Sequence, residues 1–407
     1  MLSEAETIQP SRPDLTRGGY IKMLLAAFSA ANGVGLLSLI ALPFAVGANM
    51  ESLGINESQA GLLGTLEFLG VVATSIFLAP RVGHIDRRRV ALGASVFVIA
   101  INLICAFHGP YAALLVLRPL AGLGAGLALA TGNATIAMAS KPEKFASHMS
   151  LLFVALMVLV TLSFSTLSEH FGQTGVYLGF AATIACLAPF QTGLPAAMPQ
   201  ALHAPETAHG PSAGVFSKSG KWMVLAIFCF SMRDTMTWAF TERIGASAGF
   251  SANVVGQLLT AAAIFGLAGP ALAAFIGDRF GLRAPLIAGV LAAGGNTFAL
   301  SQSGGHAFLF AGSVLCLVAT YFFALSYLNA LAAELDGEGR IVAAAGSAVM
   351  AGLAAAPVVA GYLWVAGGAM AIGGIVLLLL TITLWAALRT VPAAAQPDCL
   401  QPRLQKS

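Results

Sequence analysis

The fold is decided by a short charged stretch that lies between two apolar runs. The stretch reads Gly277-Asp278-Arg279-Phe280-Gly281-Leu282-Arg283, and the runs beside it cover residues 252–276 and 284–302. A helix needs roughly 20 mostly apolar residues to cross the hydrocarbon core of a bilayer, and both runs reach about that length. The stretch therefore predicts a tight loop that joins two membrane-spanning helices.

Apolar runs separated by short breaks continue along the whole chain. Of its 407 residues, 58% are hydrophobic and 9% are charged, whereas soluble domains carry roughly 25% charged residues. So few charges cannot cover a water-exposed surface, which excludes an ordinary soluble enzyme. We predict an all-α membrane protein with twelve transmembrane helices, at approximately residues 21–47, 58–80, 89–107, 111–138, 148–168, 175–195, 221–242, 252–276, 284–302, 306–332, 341–365 and 367–388.

Basic residues are distributed unevenly between the two predicted sides. If the chain begins inside, seventeen of its twenty Lys and Arg residues lie in tails and loops on the same side. The others are Arg118 and Arg233, within spans, and Arg243, at the opposite end of the seventh span. Because positively charged loops stay cytoplasmic, we predict a multi-pass protein with both termini in the cytoplasm.

The longest polar break, from about Gln191 to Gly220, is rich in Pro, Ala, His and Ser. Such a composition is typical of a flexible linker. This break separates six predicted spans from six. We therefore predict five parts: a cytoplasmic tail at 1–20, a six-helix bundle at 21–195, a cytoplasmic linker at 196–220, a second six-helix bundle at 221–390 and a cytoplasmic tail at 391–407.

The two predicted bundles share an internal repeat. A shift of 195 residues aligns Gly54 with Gly249, Gly61 with Gly256 and Arg88 with Arg283. A constant offset through the second span of each half and its flanking loops indicates duplication, as in transporters built from repeats.

Two motifs resemble those of the major facilitator superfamily. The stretch 277–283 resembles the signature loop of this family, Asp-Arg-x-Gly-x-Arg, and Arg118-Pro119-Leu120-Ala121-Gly122-Leu123-Gly124 is similar to the Arg-x-x-x-Gly-x-Gly pattern of its fourth helix. The resemblance implies two six-helix bundles related by pseudo-two-fold symmetry, and secondary transport. The chain departs from the family's drug/proton antiporters in span five, where Ser163-Phe164-Ser165-Thr166-Leu167 replaces a Gly-Pro-rich motif.

The same resemblance implies a cytoplasmic gate. In the first half, the matching loop keeps a basic cluster but has Gly83 where the family usually has Asp, and Asp86 lies one helical turn away. Ion pairs across this gate would favour the outward-open state. The predicted gate residues are Gly83, Asp86, Arg87, Arg88, Asp278, Arg279, Gly281 and Arg283.

Ionisable residues inside predicted spans each require a reason, because one costs on the order of 3 kcal/mol at mid-bilayer on insertion scales. Glu67, in span two, is either a proton-coupling carboxylate or part of a salt bridge that ties two helices together. Arg118, in span four, either binds an anionic substrate or holds a carboxylate. The two could pair directly, since both belong to the first bundle.

Arg233 and Asp234 lie close to mid-depth in span seven, where substrates of such transporters bind. Adjacent helix positions diverge by about 100°, so the two side chains cannot point at one spot. We predict that one faces the central cavity while the other pairs with a neighbouring helix; a mutually screened pair inside a helix interface is the alternative. Asp234 is the second predicted proton-coupling group, and Arg233 a predicted substrate ligand.

Polar and aromatic side chains in other spans complete the predicted substrate site. Most polar residues inside membranes join helices by hydrogen bonds, but the Tyr and Phe residues of span ten could form walls around an organic ligand. The remaining predicted substrate ligands are Asn32, Trp238, Tyr321, Tyr327 and Asn329; Asn133 is a further polar candidate.

These observations predict secondary active transport of a small organic solute, driven by a proton gradient. The chain has no phosphate-binding Gly-x-x-x-x-Gly-Lys-Ser/Thr loop and no paired His at helical spacing, so we expect no ATP, metal or other cofactor and no enzyme activity. A membrane-embedded enzyme or a non-transporting receptor is the alternative of another class. We expect the partners to be the substrate and the lipid bilayer, with no nucleic acid and a monomeric state.

The class of substrate is open between two alternatives. Arg118 and Arg233 slightly favour an organic anion, whereas Glu67 and Asp234 would attract cations during efflux of amphipathic, drug-like compounds. The Ala-rich and Gly-rich composition, with a short central linker, suggests a bacterial cytoplasmic (inner) membrane.

Overall fold

The computed structural model describes residues 17–78, 81, 85–136, 138–195, 217–277, 279–335 and 340–390. Gly83, Asp278, most of the linker and most of both tails lie outside these residues. The described residues form no β-strand. The α-helices are α1 (Arg17–Phe28), α2 (Leu37–Ile40), α3 (Leu42–Leu53), α4 (Glu57–Leu78), α5 (Arg87–Phe107), α6 (Tyr111–Ile136), α7 (Pro142–Leu187), α8 (Lys218–Ala239), α9 (Thr241–Ser247), α10 (Ala252–Phe265), α11 (Ala268–Ile276), α12 (Arg283–Ser301), α13 (Ala307–Leu335) and α14 (Arg340–Thr390).

Among the described residues, eight helical segments are long and apolar enough to cross a membrane, or nine if the pair α8 and α9, bent by 48°, is one span. Two of the eight, at Lys144–Gly193 and Ala344–Thr390, are 50 and 47 residues long. Each is interrupted by a glycine at positive φ, Gly172 (φ +53°) or Gly368 (φ +61°). If the two long segments are each divided at the break, and the bent pair and the N-terminal stretch are each counted as one span, the total is the predicted twelve. The number of membrane spans stays a prediction.

The first predicted span is not one regular helix. After α1, residues Ser29–Gly35 form a π-helical segment, and α2 and α3 follow with a break at Ala41. Gly35 packs against α6, where an added Cβ would lie 2.7 Å from the Cβ of Leu129. The close approach of α6 therefore explains why the last residue of the π-helical segment, Gly35, is a glycine. Segments of π-helix are often found at functional sites.

Helix ends follow local capping more than the apolar pattern. The second half begins with α8 at Lys218, three residues before the predicted 221, because the Ser217 hydroxyl accepts a hydrogen bond from the Gly220 N–H at 3.0 Å. In the same way Asp86 accepts from the Arg89 N–H at 3.1 Å and starts α5. Polar caps add short extensions that a count of apolar residues misses.

The two halves of the chain meet along two long helix pairs. Helix α4 packs against α14, and α7 packs against α10. At the first pair the backbones touch: an added Cβ at Gly61 would overlap the carbonyl oxygen of Pro357, and one at Gly361 would overlap that of Glu57. Small residues permit this approach, as is usual between helices in membranes.

Candidate functional site

A central cavity of about 420 Å³ lies between the two halves. Three segments from each half line it: the π region and α2, α6 and α7 from the first, and α10 to α11, α13 and α14 from the second. Most of the wall is apolar, with Phe153, Met157, Phe322 and Met350 among the larger side chains. Such a wall suits the apolar body of an organic molecule.

Four polar side chains interrupt the apolar wall of the central cavity: Asn32, Asn133, Ser150 and Tyr321. The Oδ1 atom of Asn32 is buried and has no hydrogen-bond partner among the described residues. Buried acceptors without a partner are rare in proteins. Asn32 therefore offers an acceptor to a ligand in the cavity, and its role as a substrate ligand stays a prediction.

A second cavity, of about 100 Å³, shares Leu39, Phe153 and Tyr321 with the central cavity and continues it to Asp234 and Trp238. The Asp234 carboxylate accepts a hydrogen bond from the Thr297 hydroxyl at 3.4 Å. Among the described residues that line these two cavities, Asp234 supplies the carboxyl group. The Trp238 indole N–H is already committed, because it donates to the Leu39 carbonyl at 2.7 Å.

Arg233 points away from these cavities into the second half. Its side chain is fully buried, its guanidinium lies 4.8 Å from the centre of the Phe230 ring, and an added Cβ at Gly294 would lie 2.9 Å from its Nη1 atom. Its carboxylate contact is Asp234, at 3.7 Å. Asp234 therefore faces the cavity and Arg233 faces the bundle interior, which answers the question that the sequence left open. Arg233 is not positioned as a substrate ligand in this structure.

Arg118 and Glu67 form the ion pair that the sequence allowed. The Glu67 carboxylate accepts from the Arg118 guanidinium, with Nε at 3.2 Å, and from the Ser38 hydroxyl at 2.6 Å. Arg118 also donates to Asn102 Oδ1 at 3.1 Å and lies over the Tyr177 ring at 5.1 Å. Both members are buried and border a separate cavity of only about 20 Å³. The donors of Arg118 are therefore occupied inside the first bundle, away from the central cavity.

Two predicted ligands in α13 lie elsewhere. The Tyr327 hydroxyl donates to backbone carbonyl oxygens at the end of α11, at 3.3 Å from that of Ala273 and 3.1 Å from that of Gly277. Asn329 is exposed and does not line the cavities described above. Of the three polar residues predicted in this helix, only Tyr321 reaches the cavity, because the other two lie about two turns further along the chain.

Sequence reasoning missed part of the cavity wall. Met149, Met157 and Met350 line it from two different helices, and methionine adapts to irregular shapes and to varied ligands. Their scattered positions carry no recognisable spacing, since the wall is assembled from both halves. Outside the cavity wall, sequence reasoning also did not single out Glu242, a buried carboxyl group, because it stands at the boundary of an apolar run, where charged residues are ordinary.

The halves are joined on one side of the molecule, the side at which Gly54, Gly172, Gly249 and Gly368 lie; we term this the closed side. The cavity walls extend from mid-depth toward the opposite side. The described polar contacts between the halves run from mid-depth to the closed side: Val358 N–H to Thr65 (3.0 Å), Thr161 to Thr260 (2.7 Å), Asn253 N–H to Glu169 (2.7 Å), Arg243 to Glu57 (3.5 Å) and Trp238 to Leu39 (2.7 Å).

The predicted gate residues lie at the opposite side, with Gly83 and Asp278 outside the described residues. Arg87 is buried and donates to the Met138 sulfur at 2.8 Å, and Arg279 stacks on Phe275 at 5.0 Å. Gly281 adopts φ +65°, as a tight loop requires. Asp86 caps α5, while Arg88 and Arg283 are exposed. These described contacts stay within one half, so the gating role stays a prediction.

Comparisons with known proteins agree with this architecture. Residues 23–213 match the family model described as Major Facilitator Superfamily. The structure is similar to that of the nucleoside transporter NupG, with 12% identity, a TM-score of 0.68 and coverage of 91% of this chain and 98% of that chain.

A second similar structure is that of a bacterial homologue of the human lysosomal transporter Spinster, in an inward-facing and occupied conformation. It has 14% identity and a TM-score of 0.71, and the match covers 92% of this chain and 97% of that chain. At these identities the likeness shows the fold. No curated protein matches the chain.

Proposed function

Because the chain belongs to the major facilitator superfamily and is a membrane transporter, we propose that it moves an amphipathic organic solute, neutral or singly cationic, by alternating access. The observation that carries this proposal is the central cavity. Its wall is apolar, its polar groups are few, and Asp234 supplies the carboxyl group of the connected walls. We further propose a bacterial cytoplasmic membrane as its location, with both termini inside.

The orientation of the two buried arginines argues against an organic anion. Arg118 is neutralised by Glu67, and Arg233 is turned into the second bundle. An anion in the cavity would therefore meet the Asp234 carboxylate before the Arg233 guanidinium, which lies 3.7 Å from that carboxylate on the side away from the cavity, and like charges in a site of low dielectric repel strongly. A cation would be attracted by the same carboxylate and would lie against aromatic walls such as Tyr321 and Phe322.

Asp234 also suggests how transport is driven. A carboxyl group that faces a binding cavity can hold either a proton or the positive charge of a solute, but not both at once. Exchange of one for the other would couple solute movement to a proton gradient. In this proposal Glu67 ties α4 to α6 and supports the site from outside the cavity, with Asp234 as the coupling group.

We expect the purified protein to be stabilised by a lipophilic cation such as tetraphenylphosphonium, and the Asp234→Asn variant to lose most of this effect. Binding to the folded state at a hundredfold excess over Kd stabilises by about 2.7 kcal/mol. The measurement is the thermal unfolding midpoint in detergent, with and without the cation. Asparagine keeps the shape of the side chain but leaves Arg233 without its carboxylate contact, which lowers stability by itself. The response to the cation is therefore measured against the variant's own midpoint without the cation.

Glu51→Gln is the matched control, because it removes an exposed carboxylate far from the cavity and should retain the response. Benzoate tests the alternative class of substrate. Stabilisation by benzoate, unchanged in Asp234→Asn, would overturn the proposed preference and restore an organic anion as the cargo.

A further inference from the structure

Glu242 is a buried carboxyl group that the proposed transport site does not use. It is the second residue of α9, just beyond the bend that ends α8, and it is 8% exposed. Its carboxyl group lies against the backbone of Gly47 in α3, which belongs to the other half. A Cβ at Gly47 would overlap the Glu242 Oε2 atom. The contact therefore exists only while the halves meet on the closed side.

The charges that surround this carboxyl group are mostly of its own sign. Glu51 and Glu169 of the first half are its acidic neighbours, and the basic neighbour is Arg243. Arg243 has a side chain that is 46% exposed and is itself directed to Glu57, at 3.5 Å. No hydrogen bond to the carboxyl group of Glu242 occurs within the described part of the chain.

Within the part of the chain that the structure describes, the other elements packed against α9 supply no compensating charge. Helix α10 contains no ionisable residue, and in α13 the nearest titratable group is His306, just before its first residue. His170 follows Glu169 just before the break of α7 at Gly172 and is exposed. In α8, Asp234 and Arg233 lie two turns deeper and are engaged with each other. Glu242 is thus enclosed without a paired cation.

An ionised carboxyl group enclosed in this way pays a desolvation penalty of several kcal/mol, whereas its neutral form pays far less. When the halves separate, the same group meets water and the penalty disappears. A proton is therefore held more tightly while the closed side is sealed, and by linkage a bound proton favours the sealed arrangement.

We propose that Glu242 is a proton-binding site between the two halves, and that the closed side seals when this site is occupied. The ligand is a proton, and the receptor is completed only by Gly47 of the opposite half. This inference depends on alternating access but not on the identity of the cargo. It can therefore fail while the proposed substrate class stands, and the reverse is equally true.

The test measures the distance across the closed side. Spin labels are attached at His170→Cys and Ala246→Cys, one exposed position in each half, in a background whose five cysteines are replaced. Pulsed dipolar spectroscopy without substrate is recorded in acidic and in alkaline buffer. We expect the short-distance population of the parent to fall about tenfold or more on alkalinisation, and that of Glu242→Gln to stay high in both buffers.

Gly47→Ala provides an independent variant, because its methyl group occupies the place of the carboxyl group whatever the pH. We expect it to lower the short-distance population in both buffers, while Gly295→Ala, where an added Cβ meets nothing within 4 Å, behaves as the parent. A parent without pH dependence, or a Glu242→Gln variant that keeps the full pH dependence, would overturn the proposal. The latter result would assign the titration to another group.

Discussion

Replacement of Glu67 by alanine is expected to lower the free energy of unfolding by about 3–5 kcal/mol, because it leaves the Arg118 guanidinium buried without its carboxylate. Asn102 and the Tyr177 ring remain in contact with Arg118, but neither carries a compensating charge. The measurement is the shift of the unfolding transition in detergent at constant pH. A change below about 1 kcal/mol, the value of an exposed pair, would show that water reaches this cluster.

The double replacement Glu67→Leu with Arg118→Met separates the two roles that the sequence left open for Glu67. Removal of both charges at similar volume is often neutral or stabilising, so the double variant should regain most of the stability that Glu67→Ala loses. If the pair only ties α4 to α6, the double variant also transports. Loss of proton-driven transport in a well-folded double variant would instead identify Glu67 as a coupling carboxylate.

Gly61→Ala is expected to disable transport through geometry alone. The new methyl group would overlap the carbonyl oxygen of Pro357, and neither backbone can move aside as a flexible side chain would. Overpacking of this kind costs about 1–3 kcal/mol, which corresponds to a roughly 5–150-fold shift between two conformations. We expect the transport rate into liposomes to fall by a similar factor, because the conformation in which the two halves meet on the closed side becomes rare.

Gly93→Ala is the matched control for that variant. Gly93 lies within α5, and an added Cβ there meets no atom within 4 Å. The same change of one glycine to alanine inside a membrane helix should leave transport near the parent rate. Equal losses in the two variants would mean that helix flexibility, and not the contact with α14, limits the cycle.

The sequence predicted the helices well because span length is set by the bilayer and not by tertiary packing. It predicted the breaks poorly. The π segment at Ser29–Gly35 and the break at Ala41 lie within one continuous apolar run, and they depend on how closely α6 approaches. An apolar run identifies residues that avoid water, but it does not show where the helix is distorted.

The candidate site shows the same limit. The spacing of Arg233 and Asp234 predicted that their side chains diverge, but the rotation of α8 that turns Asp234 to the cavity depends on its neighbours, such as Gly294 in α12. Tyr321 and Tyr327 are alike by sequence, yet one lines the cavity and the other caps α11. Which side chain faces the cavity depends on the relative positions of several helices, and a single sequence does not give these positions.

The contacts that close the molecule and the residues that line its central cavity are almost entirely different sets. Closure rests on backbone contacts at Gly61 and Gly361, while the cavity wall is made of side chains such as Phe153 and Met350. In the proposed mechanism, selectivity and movement are therefore separable traits. Replacement of a wall residue would change the cargo and leave the close contacts at Gly61 and Gly361 as they are.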